Sequence, residues 1–311
     1  MAASDALPVV DLAPFFTEDV KGGTAGATEA VRQACQTHGF FRAVNHGVPV
    51  DLMARALELS AAFFALPDEE KTKVRAAQGS KVVPAGYGRQ PAHVADKNEY
   101  LVVFDPKLGL SAYPAEPDGF RETVEECYSK FTELGLLIQK ILNECMGLPP
   151  GFLKDHNDDL MIVRRYLPAT EEESTGFSAH EDASCITLIC QDDVGGLEVL
   201  KDGHWVLAEP GGGGSIIVNI GDVIKVLSNS KLKSATHRVV SKAAHRHSLS
   251  FFSNPHGDRW VEPLPEFTAK IGEAPRYRGF LYKEYQRLLV RNKTHPPARH
   301  EDVVNITRYA I

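Results

Sequence analysis

From about residue 159 the chain turns into short runs of β-branched and apolar residues separated by turn signals, and this texture limits its fold more than any other feature. The runs are 160–166, 184–190, 197–200, 205–208, 215–220, 237–240 and 248–252. Each is too short for a helix with a buried face and long enough for a strand. Several strands at such spacing predict a double-sheet jelly roll or barrel. The Gly211–Gly214 run reads as a turn between two of them, since no Gly-Lys-Ser/Thr follows to make a phosphate loop.

The first half reads differently. Leu7-Pro8-Val9-Val10-Asp11-Leu12 is a short strand, and residues 24–37 carry Ala, Val and Cys at helical spacing, stopped by Gly39. Residues 40–44 form a strand ended by Asn45-His46-Gly47, and residues 51–65 form an amphipathic helix. A short third helix opens at Pro67, residues 75–98 read as a loop, and residues 118–146 are a long helix closed by Gly147 and Pro149. Residues 278–292 return to helix, with Leu281, Tyr285, Leu288 and Leu289 on one stripe. The expected fold is mainly β with flanking α-helices. Residues 1–150 form an N-terminal helical and strand region packing on the core, and residues 151–311 the jelly-roll unit with its C-terminal helix, together one compact body.

Composition narrows the function. A net charge of −7 argues against a nucleic-acid partner, which would want a basic surface. No run of about 18 apolar residues predicts a membrane span. Residues 1–10 lack the basic-then-apolar order of a secretory signal. Five cysteines without a close CxxC pair favour free thiols in a reducing compartment, so the expected location is cytoplasmic.

The chemistry centres on His180, Asp182 and His237. Two imidazoles and one carboxylate can cover one face of an iron(II) ion and leave the other open for a chelating cosubstrate and dioxygen. Zinc would want more His or Cys, and calcium only oxygen. If residues 180–182 are extended, His180 and Asp182 point the same way, while His237 must come from another strand. A bare His-x-Asp is weak in a chain with 12 His. Arg246-His247-Ser248 strengthens it, because Arg246 offers a planar fork and Ser248 a hydroxyl on the same strand face for a carboxylate beside the metal. His245 and His247 have the opposite parity and read as structural. Asp222, Ser234 and Arg238 read as groups that fix the strand carrying His237.

With these residues in place, the chain resembles the plant 2-oxoglutarate- and iron(II)-dependent dioxygenases. Similar to that family are His38-Gly39-Phe40-Phe41 through Val44-Asn45-His46-Gly47, Phe63-Phe64-Ala65-Leu66-Pro67 and Gly86-Tyr87-Gly88. So are His180-Glu181-Asp182, Gly195-Gly196-Leu197, Asn219-Ile220-Gly221-Asp222 and His237-Arg238-Val239. The resemblance covers nearly the whole chain. It implies a distorted double-stranded β-helix (jelly-roll) core, His180, Asp182 and His237 as catalytic iron ligands, and Arg246 and Ser248 as 2-oxoglutarate ligands. It implies dioxygen as co-reactant, ascorbate as reductant, and succinate and carbon dioxide as products.

One departure stands out. Where the family often carries Asn-Tyr-Tyr-Pro, this chain has Arg165-Tyr166-Leu167-Pro168. Matched on the proline, Arg165 takes the Asn position and is expected to reach a carboxylate of the cosubstrate or of an acidic substrate. Within the family the chain most resembles the auxin-oxidising dioxygenases, which implies conversion of indole-3-acetic acid to 2-oxindole-3-acetic acid. Phe252, Tyr100, Phe280 and Tyr282 are the expected walls of the slot for this small carboxylic acid. The alternatives are a gibberellin oxidase or another plant-metabolite dioxygenase, an iron oxygenase that uses ascorbate in place of 2-oxoglutarate, and a non-catalytic jelly roll that binds a small acid.

Overall fold

A computed structural model describes residues 6–17, 23–75, 82–154, 158–170, 174–212, 214–295, 297, 299 and 302–311. Residues 76–81 of the expected loop and Gly213 lie outside the described residues. The first half contributes strands β1 (Val9–Asp11), β2 (Phe40–Val44), β3 (Gly86–Arg89) and β4 (Asn98–Phe104). It also holds helices α1 (Gly23–Thr37), α2 (Val50–Ala65), α3 (Asp68–Thr72) and α4 (Phe120–Cys145). The second half continues with β5 (Leu160–Tyr166), β6 (Thr175–His180), β7 (Ile186–Gln191), β8 (Leu197–Lys201), β9 (His204–Leu207) and β10 (Ile216–Ile220). Then come α5 (Asp222–Leu227), β11 (His237–Val240), β12 (Arg246–Ser253), the pair β13 (Trp260–Val261) and β14 (Phe280–Leu281), and α6 (Tyr282–Thr294).

Two sheets form the core. The larger has eight strands in the order β1-β2-β10-β7-β12-β5-β4-β3, and the smaller four in the order β6-β11-β8-β9. This is the jelly-roll core flanked by helices that the sequence predicts. All four strands of the first half belong to the larger sheet, so that region completes the sheet as well as packing on it. The larger sheet has two differently used faces. One carries Leu101, Val103, Met161, Val163, Leu188, Leu249 and Phe251 against α1, α2 and α4, forming the largest buried core. Long helix α4 supplies Val124, Phe131, Leu134 and Ile138 to it at helical spacing. The other face looks toward the smaller sheet. There Phe40, Tyr166, Ile189 and Ile217 meet Phe177, Leu197, Val199 and Val239.

Five strands differ from the sequence expectation: β13 has no counterpart in it, and β14 occupies the start of the stretch 278–292 expected to be helix. β3 interrupts the expected loop, and β4 and β6 were not foreseen. β4 carries buried Asn98 and Glu99 among its apolar residues, and β6 is built largely of small and polar ones. Neither shows the apolar alternation that marks a strand. All five cysteines are free, and among the described residues no helix is long and apolar enough to cross a membrane.

Candidate active site

His180 ends β6, and His237 begins β11 directly opposite it in the antiparallel register. Asp182 lies in the turn two residues beyond β6. That turn is held by α5, where the Asp222 N–H donates to the Asp182 carbonyl at 2.8 Å and the Gly221 N–H to the Cys185 carbonyl at 2.9 Å. Gly221 is required there, since a Cβ would stand 2.0 Å from the Ser184 carbonyl oxygen. The ligand atoms of His180, Asp182 and His237 all lie within 4.8 Å of one another. His180 Nε2 is 3.6 Å and His237 Nε2 3.8 Å from Asp182 Oδ1.

The surroundings prepare each group to bind a metal. His180 Nδ1 faces the Ser178 carbonyl at 2.8 Å and His237 Nδ1 the Ala235 carbonyl at 3.2 Å. A carbonyl only accepts, so each Nδ1 carries the proton and each Nε2 presents its lone pair. Asp182 Oδ2 accepts from Thr187 Oγ1 at 2.7 Å and Asn219 Nδ2 at 2.9 Å, which aims Oδ1 at the imidazoles. Burial works against the Asp182 charge, but the two imidazoles and Asn219 outweigh it and hold the carboxyl well below the usual carboxylate range. Two imidazoles and one monodentate carboxylate on one side, with the other side open, suit iron(II).

Arg246 and Ser248 lie on the same face of β12, beside Gln191 of β7 and Tyr166 and Arg164 of β5. Arg246 is 2 % and Ser248 1 % exposed. The Arg246 Nη2 donates to Gln191 Oε1 at 2.7 Å, and the guanidinium stacks 4.6 Å from the Tyr166 ring centre. Its Nε and Nη1, and the Ser248 hydroxyl, have no hydrogen-bond partner. Leaving buried donors unmatched is costly, so this cluster is complete only with an anionic acceptor, and the far carboxylate of 2-oxoglutarate fits it. Burial pushes the Tyr166 hydroxyl up, but Arg164 and Arg246 beside it bring it below its ordinary value. Replacing Arg246 by alanine should raise KM for 2-oxoglutarate roughly 10- to 100-fold, the size expected for a lost charge-assisted hydrogen bond. KM for the prime substrate should move far less, and initial rates across a 2-oxoglutarate titration check both.

Arg165 does not reach this cluster. Its guanidinium contacts Glu99 on the opposite, helix-facing side of the sheet and lies 5.7 Å from the Phe64 ring centre. The match to Asn-Tyr-Tyr-Pro is therefore shifted by one residue. The positions that line the pocket are Arg164 and Tyr166, so a tyrosine stands on the cavity face beside Arg246. Alternation along β5 decides this, and two adjacent arginines hide it in the sequence.

The four expected slot walls divide. Phe252 and Tyr100 join an apolar strip with Val102, Phe104, Leu160 and Ile162 at the end of the cavity face away from Arg246. Phe280 and Tyr282 do not. Phe280 packs 4.3 Å from the Tyr309 ring centre, and Tyr282 is fully buried with its hydroxyl donating to Asn254 Oδ1 at 2.7 Å. Helix α6 still borders the strip, through Lys283, Gln286 and Arg287, which share a cleft with Val83, Phe104 and Leu160. Sequence reasoning missed Arg164, Gln191 and the roles of Thr187 and Asn219. For Asn219 the signal was its place in the family motifs.

A jelly roll with such a metal-binding face and an anion cluster beside it is the working part of a 2-oxoglutarate- and iron(II)-dependent oxygenase. The family model of the 2OG-Fe(II) oxygenase superfamily matches residues 157–255, and that of the non-haem dioxygenase N-terminal region in morphine synthesis matches residues 7–123. Flavanone 3-dioxygenase 2 of rice is 33% identical over 92% of this chain and 84% of its own length. Gibberellin 20 oxidase 2 of rice is 36% identical over 85% of this chain and 71% of its own. Among solved structures, the dioxygenase for auxin oxidation in rice is 29% identical with a TM-score of 0.78, covering 98% of this chain and 100% of that one. The chain belongs to the 2OG-Fe(II) oxygenase superfamily, and it is an enzyme that uses iron(II) and 2-oxoglutarate.

Proposed function

We propose that this dioxygenase oxidises a small plant acid, indole-3-acetic acid, to 2-oxindole-3-acetic acid, with ascorbate as the reductant that keeps the iron reduced. The apolar strip of Tyr100, Val102, Phe104, Leu160, Ile162 and Phe252 carries this reading, because it offers flat, dry walls suited to a planar ring. The similarity to the rice auxin oxidase over the full length of both chains supports it. His180, Asp182 and His237 would hold the iron, and Arg246 and Ser248 the far carboxylate of 2-oxoglutarate. Iron(II) held there supplies dioxygen activation coupled to oxidative decarboxylation of 2-oxoglutarate. The chain's own contribution is orientation. Thr187 and Asn219 fix Asp182, β12 fixes the cosubstrate anchor, and the apolar strip excludes water from the reacting carbon.

A gibberellin-type acid is the second reading, favoured by the 36% identity to a gibberellin 20 oxidase. Enzyme reconstituted with iron(II), 2-oxoglutarate and ascorbate, then exposed to air with each acid, tests both. Stoichiometric succinate and one added oxygen with indole-3-acetic acid, and none with gibberellins or flavanones, is the expected result. Succinate coupled to a gibberellin or a flavanone alone would replace the substrate and keep the chemistry.

A further inference from the structure

We infer that Arg164 is the residue that selects an anionic prime substrate, by pairing with its carboxylate. The inference rests on the reading of the site as one that takes a small acid. Arg164 lies on the cavity face of β5, level with Ser248 on one side and Tyr100 on the other. Its guanidinium is 4.7 Å from the ring centre of Phe177, and that ring packs 4.5 Å from the His180 ring. It is 6.0 Å from the Tyr100 ring centre, at the inner end of the apolar strip. Arg164 therefore stands where the strip meets the metal-binding face.

No described carboxylate pairs with it. Among the described residues its one hydrogen-bond partner is the Tyr166 hydroxyl at 3.5 Å, at the outer limit of such a contact, and its Nε has none. Asp96, a buried acid, is already taken up by the Ser178 N–H at 2.8 Å and the Ser178 hydroxyl. Among the groups that face the metal and the cosubstrate anchor, one cation is then left over. A divalent metal balances the dicarboxylate cosubstrate, and Arg246 balances Asp182. Among the described residues Arg164 has no carboxylate in contact, and a partly buried cation calls for one. 2-Oxoglutarate cannot supply it, because one end goes to the metal and the other has the free donors of Arg246 and Ser248. A monocarboxylate whose apolar body lies along the strip supplies both the missing charge and a planar acceptor for the guanidinium fork.

The test compares acids with their primary amides in wild type, Arg164→Gln and Arg164→Lys. The acids are indole-3-acetic acid and a gibberellin, and KM comes from substrate-dependent succinate release. Dissociation constants come from calorimetry on protein loaded with manganese(II) and an unreactive amide analogue of 2-oxoglutarate. Wild type should prefer at least one acid over its amide by about 10- to 100-fold. Arg164→Gln should erase that preference, Arg164→Lys should keep part of it, and KM for 2-oxoglutarate should change less than about threefold in both. If the gibberellin pair shows this pattern and the auxin pair does not, Arg164 keeps its role and the auxin assignment falls. If Arg164→Gln raises KM for 2-oxoglutarate and leaves the acid-to-amide ratio intact, the residue serves the cosubstrate and the inference is overturned. It is equally overturned if no acid binds wild type more tightly than its amide, by either readout.

Discussion

An Asp182→Ala variant should stay folded and lose substrate-dependent succinate release by on the order of a thousandfold, equivalent to about 4 kcal/mol of transition-state stabilisation. Asp182 is the single carboxylate of the three groups that would hold the metal, and the two imidazoles left behind come from facing strands with rings only 4.2 Å apart. Without Oδ1 the third corner of the face is gone, and iron content after reconstitution should fall with activity. The change also strips an acceptor from Thr187 and Asn219, a cost of about 1–3 kcal/mol that a domain of this size can absorb. Metal analysis and circular dichroism separate the two effects. A folded variant that keeps a tenth of wild-type turnover would remove Asp182 from the metal site.

The second large effect concerns stability, on the other side of the same sheet. Glu99 is 1 % exposed on β4, yet it gathers Lys71 at 3.1 Å, Arg89 at 3.3 Å, Arg165 and the Tyr87 hydroxyl at 2.6 Å. Burial pushes its carboxyl up, but Tyr87, Lys71 and Arg165 outweigh that and hold it below the ordinary glutamate value. Glu99→Ala leaves Arg165 without a counter-charge and buried Lys71 with only the exposed Asp68, and should cost about 3–5 kcal/mol. That corresponds to a melting temperature lower by about 10 °C. The sign with pH follows from the lowered value. The contribution is present above the ordinary glutamate pKa and is lost as pH falls through the lowered one. Wild type and variant should therefore differ most near neutrality and converge on acidification. A melting temperature unchanged at neutral pH would mean that water reaches these cations.

Much of this was legible in the sequence. Most strands of the second half stand within a residue or two of their apolar runs, and His180, Asp182 and His237 converge as their types predicted. Arg246 and Ser248 share a face because strand parity is a local property. What was hidden depends on register across strands. Whether Arg164 or Arg165 looks inward is set by the pairing of Tyr166 with Arg246, and no local pattern reports that. The Glu99 cluster was hidden for a similar reason, since its partners come from α3, β3 and β5. Phe280 and Tyr282 were misread because an aromatic residue near a helix start serves a core and a pocket wall equally well.

Strand β12 has β5 bonded along one edge and β7 along the other. Along it, inward positions recur every two residues, so Arg246 and Phe252 are separated by about 20 Å of rigid backbone. The strand thus works as a ruler. For a dicarboxylate held at its Arg246 end, the reach toward the strip would be set by a backbone that cannot stretch without breaking two ladders. Val83 and the Lys283, Gln286 and Arg287 side chains of α6, which border the far end of the strip, lie outside the large sheet. Those border residues can be exchanged without disturbing the ruler, which leaves a descendant of this protein free to change its substrate while keeping its reaction.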